Sequence, residues 1–445
     1  MKPNFKAMKT IVHFILIFFF FSQQLFAQCD GKRYLNKTFD RVKTTMAIDY
    51  GGTKKAPDGS LTILDYDLYE PIGDTAQLRP VVILIHGGAF FNLPIVTKKS
   101  PDIVELATDL AQRGYVAVSP EYRLLRNPLS LLDDKSMVQI VTASIFDINN
   151  LICHLVDSYH NGNPNRIDIN KFFVGGVSAG AVLALQGLYL DRKEQLGEPF
   201  LTYAEEVAEM DGIDITEDVL NKKFCGAKIL GGLSISGALL DTAWITPKST
   251  GILFIHGTRD PVIPYGYDYP FHLPNLPKLA GPKIIYDIIK RTGTPVEQDI
   301  YGGAGHVPIL TLSLEELFDN HPQDFIFDIQ KMDSTKTHTA NFFYKMMGCE
   351  LPVVGISQHT NYGNLNMYPN PNTGKFYIDL PNELKGNNGY YQIIDLLGKV
   401  VFSDYFELNQ TRLFVDTKLS VGMYTILIDG NDTNLNYTGK ILVSQ

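Results

Sequence analysis

The stretch KFFVGGVSAGAVLAL, residues 171–185, joins two patterns of opposite kind. Its first half is an apolar run typical of a buried strand, and its second half is a run of small and apolar residues typical of a helix. The motif GVSAG, residues 176–180, stands at the junction and fits the pattern G-x-S-x-G. Glycines around a sharp strand-to-helix turn avoid steric collision and leave the serine hydroxyl exposed above the sheet. We therefore predict that Ser178 is a nucleophile.

Strand-like and helix-like runs alternate around this motif, from about residue 40 to residue 350. The strand-like runs are KTTMAIDYG, SLTILDYDLY, PVVILIHGG, YVAVSPEYR, KFFVGGVS, AKILGGLSISG, GILFIHGTRD and VEQDIYGGAGH. The helical patterns cover residues 100–113, 137–158, 179–190, 283–292 and 314–347. A Pro-Asp-Gly turn joins the first two runs and predicts an antiparallel start, whereas several later runs are continuous Val, Ile and Leu. We predict a mostly parallel eight-stranded sheet flanked by helices.

A serine nucleophile needs a general base, and position along the chain separates the ten histidines. His306 ends the last strand-like run in the glycine-rich segment YGGAGHVP, and we predict that it is the base. His86 and His256 each close an apolar run before a glycine, which favours structural hydrogen bonding near the site.

The base in turn needs a carboxylate that holds its tautomer and stabilises the imidazolium ion. Asp260, in FIHGTRDPVIPY, ends the strand-like run before the histidine. The chain order Ser178, Asp260, His306 is the one found with this kind of strand-to-helix serine. Asp268 and Asp241 are alternatives, and an Asp-Pro pair also occurs in plain turns.

The tetrahedral intermediate of acyl transfer carries an oxyanion, which backbone N–H groups stabilise. The segment HGGAFF, residues 86–91, follows the third strand-like run. Because glycine has no side chain, Gly87 and Gly88 leave their amides accessible. We predict an oxyanion hole formed by Gly87, Gly88 and Ala179, the residue after the nucleophile, with Ala89 as a further candidate.

With LIHGGAF, SPEYRL, IDINKFFVGGVSAGA and HGTRDPVIPY in this order, residues 28–350 resemble an α/β-hydrolase of the carboxylesterase type. The resemblance implies the α/β-hydrolase fold and hydrolysis of carboxylic esters through an acyl-enzyme. It also implies Ser178 as nucleophile, Asp260 as the residue that orients the base, and His306 as base. Longer relatives often read HGGG, whereas Ala89 stands at the third position here, so the third oxyanion donor is open.

Two segments interrupt the alternation of strands and helices. Residues 191–224 are acidic and polar, and residues 266–282 are rich in proline and aromatic residues. Both follow strand ends, where active-site loops lie in open α/β sheets, so each is a candidate lid or pocket wall. An ordinary surface insertion is an equal alternative. Trp244 and Tyr265 are candidates for an acyl or alcohol pocket, or for packing alone.

After about residue 350 the long helices stop, and short strand-like runs with turns predict a small β-sandwich. The pieces MYPNPNTGKFYI, IIDLLGKVV, GMYTILI and GKILVSQ resemble the type A sorting domain of the type IX secretion system. The resemblance implies residues 365–445 as a sorting domain after a linker at 351–364, and the type IX machinery as a partner. A carbohydrate-binding module is the alternative.

The N-terminus predicts export. Three lysines precede an apolar run of 11 residues, Ile11 to Phe21, which is too short to span a bilayer. We therefore predict a signal peptide at residues 1–27, no stable membrane span, and a protein that is secreted or held at the cell surface. Export permits disulfides. A bridge between Cys29 and Cys349 is conceivable, Cys153 resembles a buried small apolar residue, and the connectivity, which also involves Cys225, is open.

Composition and motifs narrow the function. The net charge of −9 and the absence of Lys/Arg blocks in the mature part argue against nucleic acid as a partner. The sequence has no HExxH motif and no Asp-rich loop, so we predict no metal and no cofactor. We predict a secreted serine carboxylesterase that acts on small-molecule or polysaccharide-linked esters, with acetyl and feruloyl esters as candidates by analogy. A serine exopeptidase of the same fold and a non-catalytic binding protein are the alternatives.

Overall fold

The computed structural model describes residues 29–93, 96–127, 129–130, 133–213, 223–311, 327–351, 363–384, 389–396, 400–406, 410–430 and 436–444. The predicted signal peptide, most of the predicted linker and residues 314–326 of the last predicted helix lie outside the described residues. The chain divides into two compact units, one up to Pro352 and the other from Val353.

The first unit contains an eight-stranded sheet in the order β1-β2-β4-β3-β5-β6-β7-β10. The strands of this unit are β1 (Val42–Lys55), β2 (Leu61–Pro71), β3 (Arg79–Ile85), β4 (Val116–Pro120), β5 (Ile167–Val177), β6 (Ile229–Ile235), β7 (Gly251–Gly257), β8 (Tyr267–Asp268), β9 (Leu279–Ala280) and β10 (Val296–Tyr301). Strands β1 and β2 are antiparallel to their neighbours, and the remaining pairs of the sheet are parallel. The mostly parallel sheet and its antiparallel start are therefore as predicted.

Helices cover both faces of this sheet. They are α1 (Pro101–Gln112), α2 (Asp134–His160), α3 (Ala179–Tyr189), α4 (Phe200–Asp211), α5 (Pro282–Thr292) and α6 (Ile329–Met346). Apolar residues of α2, α3 and α5 belong to one buried cluster, and those of α1 and α6 belong to the other. Helix α2 is the one described helix that is long and apolar enough to cross a membrane, and half of its most apolar window is buried in this core. The predicted α/β-hydrolase architecture is confirmed.

The topology brings the predicted site residues to one edge of the sheet. Strands β3, β5, β6, β7 and β10 are adjacent and parallel, so their carboxyl ends lie side by side. His86 follows β3 and Ser178 follows β5. Asp260 lies three residues beyond β7, and His306 lies five residues beyond β10. Residues up to 220 positions apart in the chain therefore reach the same edge.

Two disulfides join distant parts of the first unit. Cys29 pairs with Cys349, the bridge that the sequence left conceivable. Cys153 of α2 pairs with Cys225, so the expectation that Cys153 is only a buried apolar residue is wrong. The short helical turn Lys223–Gly226 packs on α2, which brings the two cysteines together. Spacing in the sequence does not show this contact because it depends on how the chain folds back after α4.

The second unit consists of two sheets. The five-stranded sheet has the order β11 (Gly363–Asn364), β18 (Asn436–Val443), β17 (Gly422–Gly430), β14 (Gly389–Ile394) and β15 (Val400–Phe406). The three-stranded sheet has the order β12 (Asn366–Tyr368), β13 (Lys375–Asp379) and β16 (Arg412–Asp416). Alternate side chains enter a shared apolar core, as Phe376 and Ile378 of β13 illustrate. A small β module is as predicted.

An ion cluster links α6 to the edge strand β10. Nε2 of His338 lies 2.7 Å from Glu297 Oε2, and its Nδ1 lies 2.9 Å from Asp299 Oδ2. Burial alone would lower the pKa of His338, but the hydrogen bonds to Asp299 and Glu297 raise it to about 9. The imidazolium form is therefore favoured in the folded protein at neutral pH.

We expect His338→Gln to lower the free energy of unfolding by about 1–2 kcal/mol at pH 6 and by much less at pH 10. The pKa of His338 is higher in the folded protein than its ordinary value of 6.5. The stabilisation of the folded protein by protonated His338 is therefore complete below pH 6.5 and is lost as the pH rises through about 9. Urea unfolding of both proteins at the two pH values measures the difference. An equal loss of stability at both pH values would contradict the prediction.

Candidate active site

Ser178 lies at the turn between β5 and α3. Its backbone has φ 55° and ψ −120°, a conformation that non-glycine residues rarely adopt. A side chain at Gly180 has no room, because its Cβ would lie 2.1 Å from the carbonyl oxygen of Ile85. At Gly176 a Cβ would lie 2.5 Å from the backbone of Gly180. The small residues of the motif thus allow β3, β5 and α3 to approach closely around the serine.

The structure brings Ser178, His306 and Asp260 into one hydrogen-bonded chain. Nε2 of His306 lies 2.7 Å from Ser178 Oγ, and Nδ1 of His306 lies 2.8 Å from Asp260 Oδ2. A carboxylate only accepts hydrogen bonds, so Nδ1 carries the proton. Nε2 then presents a lone pair to the Ser178 hydroxyl, the arrangement that general-base activation needs. Their catalytic roles stay a prediction.

Asp260 is held by its own turn. Its Oδ1 accepts hydrogen bonds from the backbone N–H groups of Val262 and Ile263, at 2.8 and 2.9 Å. Burial would raise the pKa of Asp260, but the charge and hydrogen bond of His306 hold it below its ordinary value. The carboxylate form is therefore favoured, and Oδ2 is left to orient His306.

The alternative carboxylates contact other groups. Asp241 accepts a hydrogen bond from Ala243 N, and Asp268 accepts one from Tyr269 N and pairs with His272 on the surface. The structure thus places Asp260, rather than either alternative, beside His306.

His256 contacts Asp260 of the hydrogen-bonded chain that Ser178, His306 and Asp260 form. Its Nε2 lies 3.1 Å from the carbonyl oxygen of Ile263 and 3.3 Å from Asp260 Oδ2. Burial lowers the pKa of His256 to about 4, so the neutral ring is favoured. A neutral imidazole that donates to the Ile263 carbonyl helps to fix the 260–263 turn, in line with the structural role predicted for this histidine.

The segment after β3 lies directly against the serine. A Cβ on Gly87 would lie 3.2 Å from Ser178 Cβ. Gly88, Ala89 and Phe90 all have positive φ, at 104°, 52° and 65°, so the chain turns sharply here. Ala89, Ser178 and Ala179 line one cavity. The predicted donors Gly87, Gly88 and Ala179 are therefore near the nucleophile, and their role as an oxyanion hole stays a prediction.

The side chains of Tyr122, His86 and Glu121 hold this segment in place, a combined role that was not predicted from the sequence. The Tyr122 hydroxyl lies 2.9 Å from the carbonyl oxygen of His86 and 3.0 Å from that of Gly87, and donates to them. The Tyr122 ring stacks on His86 with centroids 4.6 Å apart. His86 Nδ1 also contacts the Gly87 carbonyl at 2.9 Å, and its Nε2 contacts Glu121 Oε2 at 3.2 Å. In a trans peptide the Gly88 N–H points away from the Gly87 carbonyl, so these contacts fix its direction.

The signal for these residues was present in the segment SPEYRL, which supplies Glu121 and Tyr122 at the end of β4. Strand β4 is the neighbour of β3, so residues after β4 reach the loop after β3. In the sequence, SPEYRL contributes to the resemblance, and its contact with the loop after β3 is not visible.

We expect Tyr122→Phe to lower kcat about tenfold with a smaller change in KM, because the His86 and Gly87 carbonyl groups lose the hydrogen bond from the Tyr122 hydroxyl. Steady-state kinetics with p-nitrophenyl acetate measure the two constants. Tyr189→Phe is the matched control, since the Tyr189 hydroxyl is also buried and donates to one carbonyl, that of Thr250. Equal kinetic effects in the two variants would show that Tyr122 has only a general structural role.

Comparison with known proteins identifies both parts of the chain. Residues 66–272 match the model of the BD-FAE family. The chain carries a BD-FAE esterase domain. BD-FAE is a family of esterases, so the predicted carboxylesterase is confirmed at that level. No curated protein sequence matches the chain.

The C-terminal part of the chain matches a second family model. Residues 366–444 match the secretion system C-terminal sorting domain. The predicted type IX sorting domain and the location outside the cell or at its surface are therefore confirmed.

Several solved structures are similar to this chain. Thermogutta terrifontis esterase 2, phosphorylated by paraoxon, is 16% identical with a TM-score of 0.43, over 71% of this chain and 97% of that one. Esterase B from Lactobacillus rhamnosis is 15% identical with a TM-score of 0.41, over 77% and 97%. A truncated carbohydrate esterase from gut microbiota is 14% identical with a TM-score of 0.39, over 70% and 98%.

Proposed function

We propose that this chain hydrolyses carboxylic esters through an acyl-enzyme formed on Ser178. The observation that carries the proposal is the hydrogen-bonded chain from Ser178 Oγ through His306 to Asp260, with contacts of 2.7 and 2.8 Å. In acylation, Ser178 Oγ bonds to the ester carbonyl carbon while His306 Nε2 takes the hydroxyl proton. The backbone N–H groups of Gly87, Gly88 and Ala179, the predicted donors, stabilise the oxyanion, aided by the N-terminus of α3.

The cycle closes without any other reactant than water. His306 gives its proton to the leaving alkoxide, which departs as the alcohol and leaves the acyl group on Ser178. Water then attacks the acyl carbon while His306 takes one of its protons. Collapse of this second intermediate releases the carboxylic acid and returns the proton to Ser178. Asp260 stays ionised and stabilises the imidazolium ion at both stages.

The exopeptidase alternative needs recognition of a charged peptide terminus. The described wall of the cavity at Ser178 is instead mostly apolar, and its polar groups beyond the serine are those of Thr142, Gln186 and the indole N–H of Trp244. A charged amino group placed there would lose its hydration without an acidic partner. This lining supports the esterase over the exopeptidase.

Labelling with a fluorophosphonate probe, followed by a comparison of substrates, tests the proposal. We expect the probe to modify Ser178, and p-nitrophenyl acetate to be hydrolysed far faster than proline-containing dipeptide anilides. Preferential cleavage of the anilides would favour the exopeptidase. A protein that neither reacts with the probe nor hydrolyses esters would fit a binding protein instead.

A further inference from the structure

A deep apolar cavity begins at the Ser178 hydroxyl. Its volume is about 110 Å³. Its walls come from α2, from α3, from the segment after β6, and from the insertion between β7 and α5. Leu196 of the 191–224 segment and Phe271 and Leu276 of the 266–282 segment also line it, so both interrupting segments form pocket wall.

The cavity follows the two helices away from the nucleophile. Along α3 its lining residues are Ala179, Val182 and Gln186, and Leu190 follows directly after the helix. These positions recur every three or four residues and therefore share one face. From Ala179 to Gln186 the helix rises about 10 Å. Ile145 of α2 and Leu190 also border a second apolar cavity, so they form the partition at the far end.

The polar side chains in this lining are already hydrogen-bonded. Thr142 Oγ1 donates to the Val138 carbonyl, and Gln186 bonds to the Ala238 carbonyl and the Leu240 N–H. Trp244, which the sequence left between pocket and packing, lines the cavity and donates its Nε1–H to the Gln195 carbonyl. A hydroxyl on a bound acyl group would therefore exchange water for an apolar wall, at an unfavourable free energy.

We propose that this cavity binds the aliphatic acyl chain of the substrate, of roughly six to ten carbons in length. The inference rests on the proposed acyl-enzyme at Ser178, because the acyl carbon bonded to Oγ places the chain at the mouth of the cavity. An acetyl group fills only the first part of the space. A feruloyl group carries a phenolic hydroxyl into a wall whose polar groups are occupied. The substrates are thus esters of medium-chain fatty acids rather than the acetyl or feruloyl esters that analogy suggested.

The test is a series of p-nitrophenyl esters from acetate to dodecanoate, together with methyl octanoate and methyl ferulate as a pair with one alcohol. Each added methylene buried in the cavity raises kcat/KM by about threefold to fourfold until the far end is reached. We expect a maximum between hexanoate and decanoate, at least tenfold above acetate, and faster cleavage of methyl octanoate than of methyl ferulate. The wild-type profile alone decides the proposal.

Variants at the far end sharpen the test. Ile145→Trp fills the partition end, and we expect the ratio of octanoate to acetate kcat/KM to fall at least tenfold. Asp157→Trp, on an exposed position of the same helix, is the matched control and keeps the ratio. If melting shows that Ile145→Trp does not fold, Leu190→Phe narrows the same end.

Failure of the acyl-chain proposal and failure of the proposed esterase function give different results in this experiment. A profile that is highest at acetate, or a preference for methyl ferulate, overturns the acyl-chain proposal and leaves the serine esterase in place. Absence of hydrolysis across the whole panel overturns the proposed function as well.

Discussion

Replacing Ser178 with alanine lowers kcat for p-nitrophenyl acetate by about 10⁵-fold or more and abolishes labelling by a fluorophosphonate. The hydroxyl is the only group of the serine that reaches His306 Nε2, at 2.7 Å, and alanine keeps the backbone turn but supplies no nucleophile. The fold is retained because the Cβ remains and the neighbouring glycines keep their close contacts. Initial rates and mass spectrometry of the probe adduct measure both effects.

The matched control is Ser144→Ala. The Ser144 hydroxyl is also buried, and it donates to the Ile140 carbonyl within α2 and to the Arg123 carbonyl. We expect this variant to retain esterase activity with at most a small loss of stability. Full activity of Ser178→Ala on p-nitrophenyl acetate would show that the nucleophile is a different residue.

The nucleophile was predictable because its signal is local. A strand, a G-x-S-x-G turn and a helix occupy consecutive residues, and the steric need for glycine is visible in the motif itself. At Gly180 only glycine fits, because an added Cβ would lie 2.1 Å from the Ile85 carbonyl oxygen. The parallel order of strands was likewise predictable from continuous apolar runs, since strands covered on both faces have no polar side.

The carboxylate was only partly predictable. Asp260, Asp268 and Asp241 all come after strands of the eight-stranded sheet, and nothing in their neighbours in the sequence says which way each side chain points. The structure shows that two N–H groups of the following turn bind one oxygen of Asp260 and leave the other for His306. This selection depends on the turn conformation, which the sequence pattern did not specify.

Features that need distant parts of the chain were missed or left open. The Cys153–Cys225 bridge, the contact of Tyr122 with the loop after β3, and the common cavity wall of the two interrupting segments are of this kind. Each joins residues whose proximity follows from sheet order and loop packing rather than from local periodicity. The functional consequence is largest for the cavity, because its lining determines which acyl groups the site accepts.

The sheet edge explains why a site of such separated residues is stable before substrate binds. Ser178 and Asp260 each sit in a turn that the neighbouring backbone fixes, and His306 bridges them from the end of β10. Preorganised groups need no reorientation during the reaction, which is the main advantage of such sites. The orientation of His306 therefore depends chiefly on Asp260.

Asp260→Asn tests this dependence, and we expect kcat to fall by about 10⁴-fold with little change in stability. The amide oxygen of asparagine keeps the two N–H donors of Val262 and Ile263, so its NH₂ group faces His306 Nδ1. A donor at that position requires Nδ1 to accept, which moves the ring proton to Nε2. His306 then has no lone pair for the Ser178 proton, although all heavy atoms keep their places. Steady-state kinetics and thermal melting measure the two quantities.

Asp268→Asn is the matched control for this substitution. It makes the same chemical change at the exposed carboxylate that the sequence left as an alternative to Asp260, and its contacts are with Tyr269 and His272. We expect its kcat to stay within about twofold of wild type, as for other exposed substitutions away from such a network. Asp260→Asn acts by changing the tautomer of His306. In that variant we therefore expect fluorophosphonate labelling of Ser178 to slow in parallel with hydrolysis, while its melting temperature stays unchanged. A larger loss of activity in Asp268→Asn than in Asp260→Asn would reassign the carboxylate that orients the base.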